Sequence, residues 1–269
     1  MKDYVLELAA SKSSVDDKFN IIREYLQSYI LRIMQDFGAF HYCAFLGGTA
    51  LRFLFDLPRF SEDLDFSLAN KQEKTFVELI THIKKELELS GYNVEISYKD
   101  VKTVQSAMIK FSDLMYEAGI TGLKDQKISI KLEIDTNPPQ GAELSTKIIN
   151  KYFPLSFLTY GLSSLFAGKM HAVLTRRYSK GRDFYDIFWY LSRMKDIEPN
   201  MTLLTNALKQ TGWNKAMPEK NNWRDYLKSK VESLNWDVVD KDVGSFLENR
   251  SDMNVFTKEN LLKIIAQEV

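Results

Sequence analysis

Residues Phe45 to Phe66 read FLGGTALRFLFDLPRFSEDLDF, and this stretch decides the architecture. A short apolar run from about Cys43 to Leu46 suits a strand. Gly47-Gly48 then gives a tight turn, and Thr49 to Phe55 has the composition of a helix. Pro58 interrupts the chain before a second strand, Asp63 to Leu68. Side chains alternate along a strand, so Asp63 and Asp65 share one face while Leu64 and Phe66 point into a core. Two such carboxylates repel unless a cation lies with them. Backbone N–H groups that can approach phosphate at a helix start, followed by hard oxygen ligands for Mg2+, are what attack on a nucleoside triphosphate requires.

Working outward, Ser14 to Phe37 carries apolar residues at helical spacing, with Ser14 and Asp17 in a capping arrangement and Gly38 as the stop. A further helix is expected from about Lys71 to Leu89. Strands are expected at Asn93–Lys99, Ala107–Ser112 and Lys127–Asp135. After the breaker Asn137-Pro-Pro-Gln-Gly141 the pattern turns helical. The helices expected there are Ser164–Arg177, Arg182–Met194, Leu203–Lys209, Trp223–Leu234, Asp240–Leu247 and Thr257–Gln267. The class that follows is α+β: a mixed sheet with flanking helices over residues 1–150, then an all-helical C-terminal domain over 151–269 that contributes basic and acidic residues to the active site.

The 269 residues are 45% hydrophobic and 13% aromatic, enough for a substantial core and unlike a disordered chain. No apolar run approaches the ~20 residues of a membrane helix. The charged N-terminal stretch does not read as a signal peptide. The single cysteine, Cys43, forms no internal disulfide, and with three histidines a zinc site is not indicated, so a reducing cytoplasm is the expected location. Net charge is zero, yet no acidic residue falls between Glu143 and Asp183, where Lys147, Lys151, Lys169, Arg176, Arg177, Lys180 and Arg182 all lie. Either these form a field aimed at phosphates, or they are solvated helix faces with partners from elsewhere in the chain.

A two-metal centre wants a third carboxylate. In Ile128–Asp135, Ile130, Leu132 and Ile134 form one face and Lys131, Glu133 and Asp135 the other, so Glu133 or Asp135 is the candidate. Thr49 reads as an N-cap, a phosphate ligand, or both. Arg52 is ambiguous, and Arg59 and Ser61 either orient the site or, for Arg59, sit on the surface. Lys169 is a phosphate contact or a lysine that snorkels from a buried helix face. Gly181 reads as the break between two helices. Asp183 and Asp186, three apart, occupy nearly one face of the second of them.

Taken together, Gly47-Gly-Thr-Ala-Leu-Arg52, Arg59-Phe-Ser-Glu-Asp63-Leu-Asp65-Phe66, Lys131-Leu-Glu133-Ile134, Lys169 and Arg182-Asp183-Phe-Tyr-Asp186-Ile187 resemble the AbiEii/AbiGii-type nucleotidyltransferase toxins of the DNA polymerase β-like superfamily. The resemblance spans roughly residues 45–190. It implies an enzyme, the toxin of a toxin–antitoxin or phage-defence (abortive infection) system, with NTP as substrate and a cognate antitoxin as partner. It implies that Asp63 and Asp65 bind metal and that Gly47, Gly48 and Thr49, with Ser61, lie at the nucleotide. Lys169, with Arg176 or Lys180, would contact phosphate, and Asp183 or Asp186 would complete the pocket. Some such toxins add nucleotides to the tRNA 3′ end. The mechanism expected from these residues has one Mg2+ on Asp63 and Asp65 and a second shared with Glu133. Transfer to a protein or small-molecule hydroxyl, or a non-catalytic nucleotide-binding module, are the alternatives.

Overall fold

Ser14 opens the longest helix by accepting a hydrogen bond from the Asp17 N–H at 3.0 Å, and Gly38 closes it at φ 85°. The computed structural model describes residues 1–71, 74–194 and 196–267. By Cα packing they form two units: Met1–Asp56, Phe60–Asn137 and Ser145–Thr159 make the first; Leu57–Arg59, Pro138–Leu144 and Tyr160–Val269 make the second.

The first unit begins with α1 (Lys2–Ala10) and α2 (Val15–Phe37). It continues with β1 (Cys43–Leu46), α3 (Gly47–Phe55), β2 (Leu64–Leu68), α4 (Phe76–Leu89), β3 (Val94–Lys99), β4 (Val104–Phe111), the short α5 (Leu114–Glu117) and β5 (Ile128–Asp135). Then come β6 (Leu144–Asn150) and β7 (Pro154–Tyr160). Among the described residues the strands form one mixed sheet in the order β3-β4-β5-β2-β1-β7-β6. β2 therefore lies at its centre, antiparallel to β1 and parallel to β5. Leu64, Phe66, Ile130, Leu132 and Ile134 are at most 2% exposed and join Ile22, Leu26 and Ile30 of α2 in one core. Each such side chain contributes about 1.5–3 kcal/mol of burial. That alternation fixes register, because a slip of one residue would bury the acids between them.

α4 starts at Phe76, not at Lys71: Thr75 and Glu78 form a reciprocal capping box that sets its first turn. Gln72 and Glu73, within the expected helix, lie outside the described residues. β6 and β7 were not expected. In β7, Leu155, Phe157 and Thr159 are buried at period two, and Thr159 pairs with Phe45, its hydroxyl donating to the Phe45 carbonyl at 2.7 Å. Pro154 stands at the first position of the strand, where a missing N–H is tolerated, so it did not signal a loop.

The second unit holds α6 (Leu162–Thr175), α7 (Gly181–Arg193), α8 (Met201–Gln210), α9 (Trp223–Glu232), α10 (Trp236–Gly244) and α11 (Lys258–Ile265). Phe166 of α6 stacks on Tyr190 of α7 at 4.6 Å and meets the edge of Trp223 of α9. Gly181 is no break. It is the first residue of α7, and a Cβ there would collide with the Val239 backbone of α10. The segment Leu57–Arg59, between α3 and β2 in sequence, also belongs to this unit: Arg59 pairs as an isolated bridge with Leu247.

Candidate active site

Asp65 on β2 stands directly beside Glu133 on β5, and Ser67 beside Asp135. Neighbouring strands run about 4.8 Å apart, so Asp65 and Glu133 project side by side from one face. Extending that register by one residue brings Asp63 level with Lys131. The Lys131 ammonium bonds Glu133 at 2.8 Å. Burial draws its pKa down, but Glu133, Asp63 and Asp65 outweigh this and hold it above the ordinary lysine value. Asp135 is differently employed, accepting the Asn137 N–H at 2.9 Å at the start of the following turn. Of the two candidates for a third carboxylate, Glu133 is the one level with Asp65.

The glycine turn meets this group directly. Gly47 has φ 80°, a left-handed conformation that disfavours other residues, and a Cβ there would strike the Asp65 carboxylate. Gly48 and Thr49 are buried. Thr49 is not an N-cap: α3 starts at Gly47, and Leu46 in the cap position offers no side-chain bond. The Thr49 hydroxyl instead donates to the Asp63 carbonyl, tying the first turn of α3 to the start of β2. The first-turn N–H groups of α3 thus have no side-chain cap, and the helix dipole there favours an anion. Arg52, one turn on, is 6% exposed and donates to Glu24 of α2 at 2.6 Å; Tyr152 and Lys151 also bond Glu24. Nothing in the spacing of α2 singled out Glu24 as an anchor for α3. The Ser61 carbonyl accepts from Gln27 at 3.0 Å, leaving its side chain half-buried.

Gly47→Ala is expected to cost about 1–2 kcal/mol from backbone strain alone. Displacement of Asp65 should add to this and lower transfer activity beyond what the stability loss explains. Thermal melts combined with activity measured well below the melting point separate the two effects.

In the second unit the basic residues are mostly spoken for. Lys169 on α6 does not snorkel to solvent: its ammonium bonds Asp186 at 2.7 Å and Asp183 at 3.2 Å. Arg176 also pairs with Asp183. Arg59 is no surface residue. It is 2% exposed and donates Nε and Nη2 to the two oxygens of Asp186 at 2.6 and 2.7 Å, a planar two-bond fork. Burial works against the charged Asp186, but Arg59 and Lys169 more than offset it and hold its pKa below the usual carboxylate range. Burial likewise opposes the Lys169 charge, and Asp186 and Asp183 hold its pKa above the usual value. Arg182 approaches Asp242 at 3.6 Å, and in the first unit Lys151 bonds Glu24 at 2.9 Å. Four of the seven acid-free-stretch cations are thereby neutralised by carboxylates from elsewhere, and only part of the expected field survives. The other three, Lys147, Arg177 and Lys180, form no ion pair among the described residues, and Lys147 lies over the Phe55 ring at 5.2 Å.

No group of three or more His, Cys, Asp or Glu side chains is gathered closely enough to hold a metal ion among the described residues. The donor set on β2 and β5 nevertheless fits Mg2+ in kind, being carboxylate oxygen throughout with neither thiolate nor imidazole. The Lys131 ammonium is bonded to one of these acids, Glu133, at 2.8 Å.

Residues 29–254 match the family described as "Nucleotidyl transferase AbiEii toxin, Type IV TA system". The chain belongs to this family. It is accordingly a nucleotidyltransferase toxin of a type IV toxin–antitoxin system. By sequence alone no curated protein matches it. Among solved structures, the toxin resembles MenT4, a nucleotidyltransferase toxin of Mycobacterium tuberculosis, with 15% identity, TM-score 0.61, and coverage of 99% of this chain and 88% of that one. It also resembles JHP933 from Helicobacter pylori, with 18% identity, TM-score 0.54, and coverage of 90% and 87%. At these identities the likeness is one of fold, and that fold is the expected α+β arrangement of mixed sheet and helices. The toxin has no helix long and apolar enough to cross a membrane among the described residues.

Proposed function

We propose that this toxin moves a nucleoside monophosphate from an NTP to an RNA hydroxyl, the tRNA 3′ end, with Asp63, Asp65 and Glu133 as its metal-binding carboxylates. The observation that carries this reading is the placement of Asp65: side by side with Glu133, and filling the space that only a glycine at 47 leaves open. Mg2+ bound at these acids would offset triphosphate charge and lower the pKa of the acceptor hydroxyl. The chain's own part is orientation. Gly47, Gly48 and Thr49 bring the first-turn N–H groups of α3 to the triphosphate, and the Thr49 bond to Asp63 keeps α3 and β2 in fixed register. The acceptor hydroxyl gives up its proton to solvent as its oxygen bonds the α-phosphorus, the bond to the bridging oxygen breaks, and pyrophosphate leaves.

The parts of Lys169, Arg176 and Lys180 in this proposal rest on the family resemblance, which puts them with the phosphates. Lys169 and Arg176 already share their charge with Asp183 and Asp186, and of the three only Lys180 forms no ion pair among the described residues. Asp183 and Asp186 act in it by holding Lys169 and Arg176 in place. Lys147 and Arg177, which form no ion pair among the described residues, are the cations we assign to an RNA backbone. A cognate antitoxin is implied by the type IV system.

Incubation with total RNA, Mg2+ and each labelled NTP in turn tests the proposal. Label is expected on a tRNA-sized band from one or two of the four nucleotides, with pyrophosphate released. Label on protein, or none on RNA with any NTP, would overturn the acceptor assignment.

A further inference from the structure

Lys131 has no part in the chemistry described above, yet its ammonium is already bonded to one of the three carboxylates proposed to hold the metal. Its ammonium lies 2.8 Å from the Glu133 carboxylate, and the charges of Asp63 and Asp65 also act on it. Strand alternation puts Lys131 on the same face as Glu133, and the β2–β5 register sets that face beside Asp65, with Asp63 one residue before the paired stretch. Three carboxylates on two adjacent strands would repel one another if nothing cationic stood between them. We infer that Lys131 is the resident counter-cation of the acidic set, and that a divalent ion engages Glu133 only by displacing it.

This inference rests on the carboxylate reading above and adds an order of events to it. The free toxin holds its acids together without metal and binds a bare divalent ion weakly. An ion arriving with the triphosphate succeeds because the nucleotide brings negative charge to offset the ammonium. Lys131 is thus a positioning residue, acting through Glu133. A lysine suits this role because its flexible stem lets the point charge withdraw. At 38% side-chain exposure it has solvent to withdraw into.

The test is Mn2+ titration of the full-length toxin without nucleotide, following loss of the free-ion electron paramagnetic resonance signal. Lys131→Met, Lys131→Gln, Lys131→Arg and Asp65→Asn are compared with the parent. Lys131→Met and Lys131→Gln are expected to bind Mn2+ roughly tenfold more tightly, since a unit charge a few ångströms from a divalent ion is removed. Lys131→Arg should stay near the parent. The neutral variants should melt below the parent without metal and recover with Mn2+. Unchanged or weaker Mn2+ binding by whichever neutral variant folds overturns the inference. If Asp65→Asn abolishes Mn2+ binding while the neutral variants show no gain, the inference alone falls. If Asp65→Asn binds like the parent, or the parent and neutral variants bind no Mn2+, the carboxylate reading falls with it.

Discussion

Asp65→Asn toxin is expected to retain its fold and lose nucleotidyl transfer by roughly a hundred- to ten-thousandfold, the several kcal/mol that a catalytic metal ion supplies. The amide has the shape of the carboxylate, so the space beside Gly47 remains filled and β2 keeps its register with Glu133. What it lacks is the charge that would hold a divalent ion. Because the change also relieves repulsion among Asp63, Asp65 and Glu133, the melting temperature should stay within about 4 °C of the parent or rise, corresponding to a stability change under about 1 kcal/mol. Single-turnover transfer of label from NTP to RNA, read against a melt of the same preparation, makes the comparison. Activity within threefold of the parent would remove Asp65 from the chemistry.

The second large effect concerns stability. Asp186 is fully buried and holds two cations, Arg59 by a planar fork and Lys169 by a 2.7 Å contact. Asp186→Ala leaves both charges with one fewer carboxylate in a site closed to water, and should destabilise by about 3–5 kcal/mol. All four tryptophans, Trp189, Trp213, Trp223 and Trp236, lie in the second unit, so urea titration followed by tryptophan emission reports on that unit. A loss below about 1 kcal/mol, within the range of exposed ion pairs, would show that the cluster is solvated in solution.

The pH dependence has a definite sign. Asp186 has a folded-state pKa below its unfolded value, held there by Arg59 and Lys169 against the cost of burial. Its contribution is therefore complete above the ordinary carboxylate range and is lost as pH falls through the depressed folded value. The parent's urea midpoint should fall on acidification below about pH 4, and Asp186→Ala should show a shallower decline over the same interval.

Much of the first unit could be read locally. The Ser14 cap, the Gly38 stop and the apolar stripe of α2 are signals carried within a few residues of one another, and α2 runs as they require. The same holds for the β1–α3 junction, although α3 begins at Gly47 and not at Thr49, and for the alternation that sets Asp65 opposite Leu64 and Phe66, although β2 begins at Leu64 and leaves Asp63 one residue outside it. β7 also carried a period-two pattern in Leu155, Phe157 and Thr159, but Pro154 and Gly161 beside it looked like loop punctuation.

What could not be read is pairing at a distance. Arg59 looked like a residue after a proline, and its partner lies 127 positions away. Glu24 is one polar position among many in a long helix until Arg52, Tyr152 and Lys151 meet it. The alternation of Ile128–Asp135 put Lys131, Glu133 and Asp135 on one face, but the choice between Glu133 and Asp135 needed the β2–β5 register.

Local spacing along the chain was enough for the α+β class, the strand-to-helix junction at Gly47 and the alternation that buries Leu64 and Phe66, because periodicity and capping are properties of neighbours. Which carboxylate stands beside Asp65, which lysine pairs with Glu133, and which cations are already neutralised came from folding alone. Those facts depend on strand register and on burial, where the partner of a charge is set by packing between segments far apart in the chain.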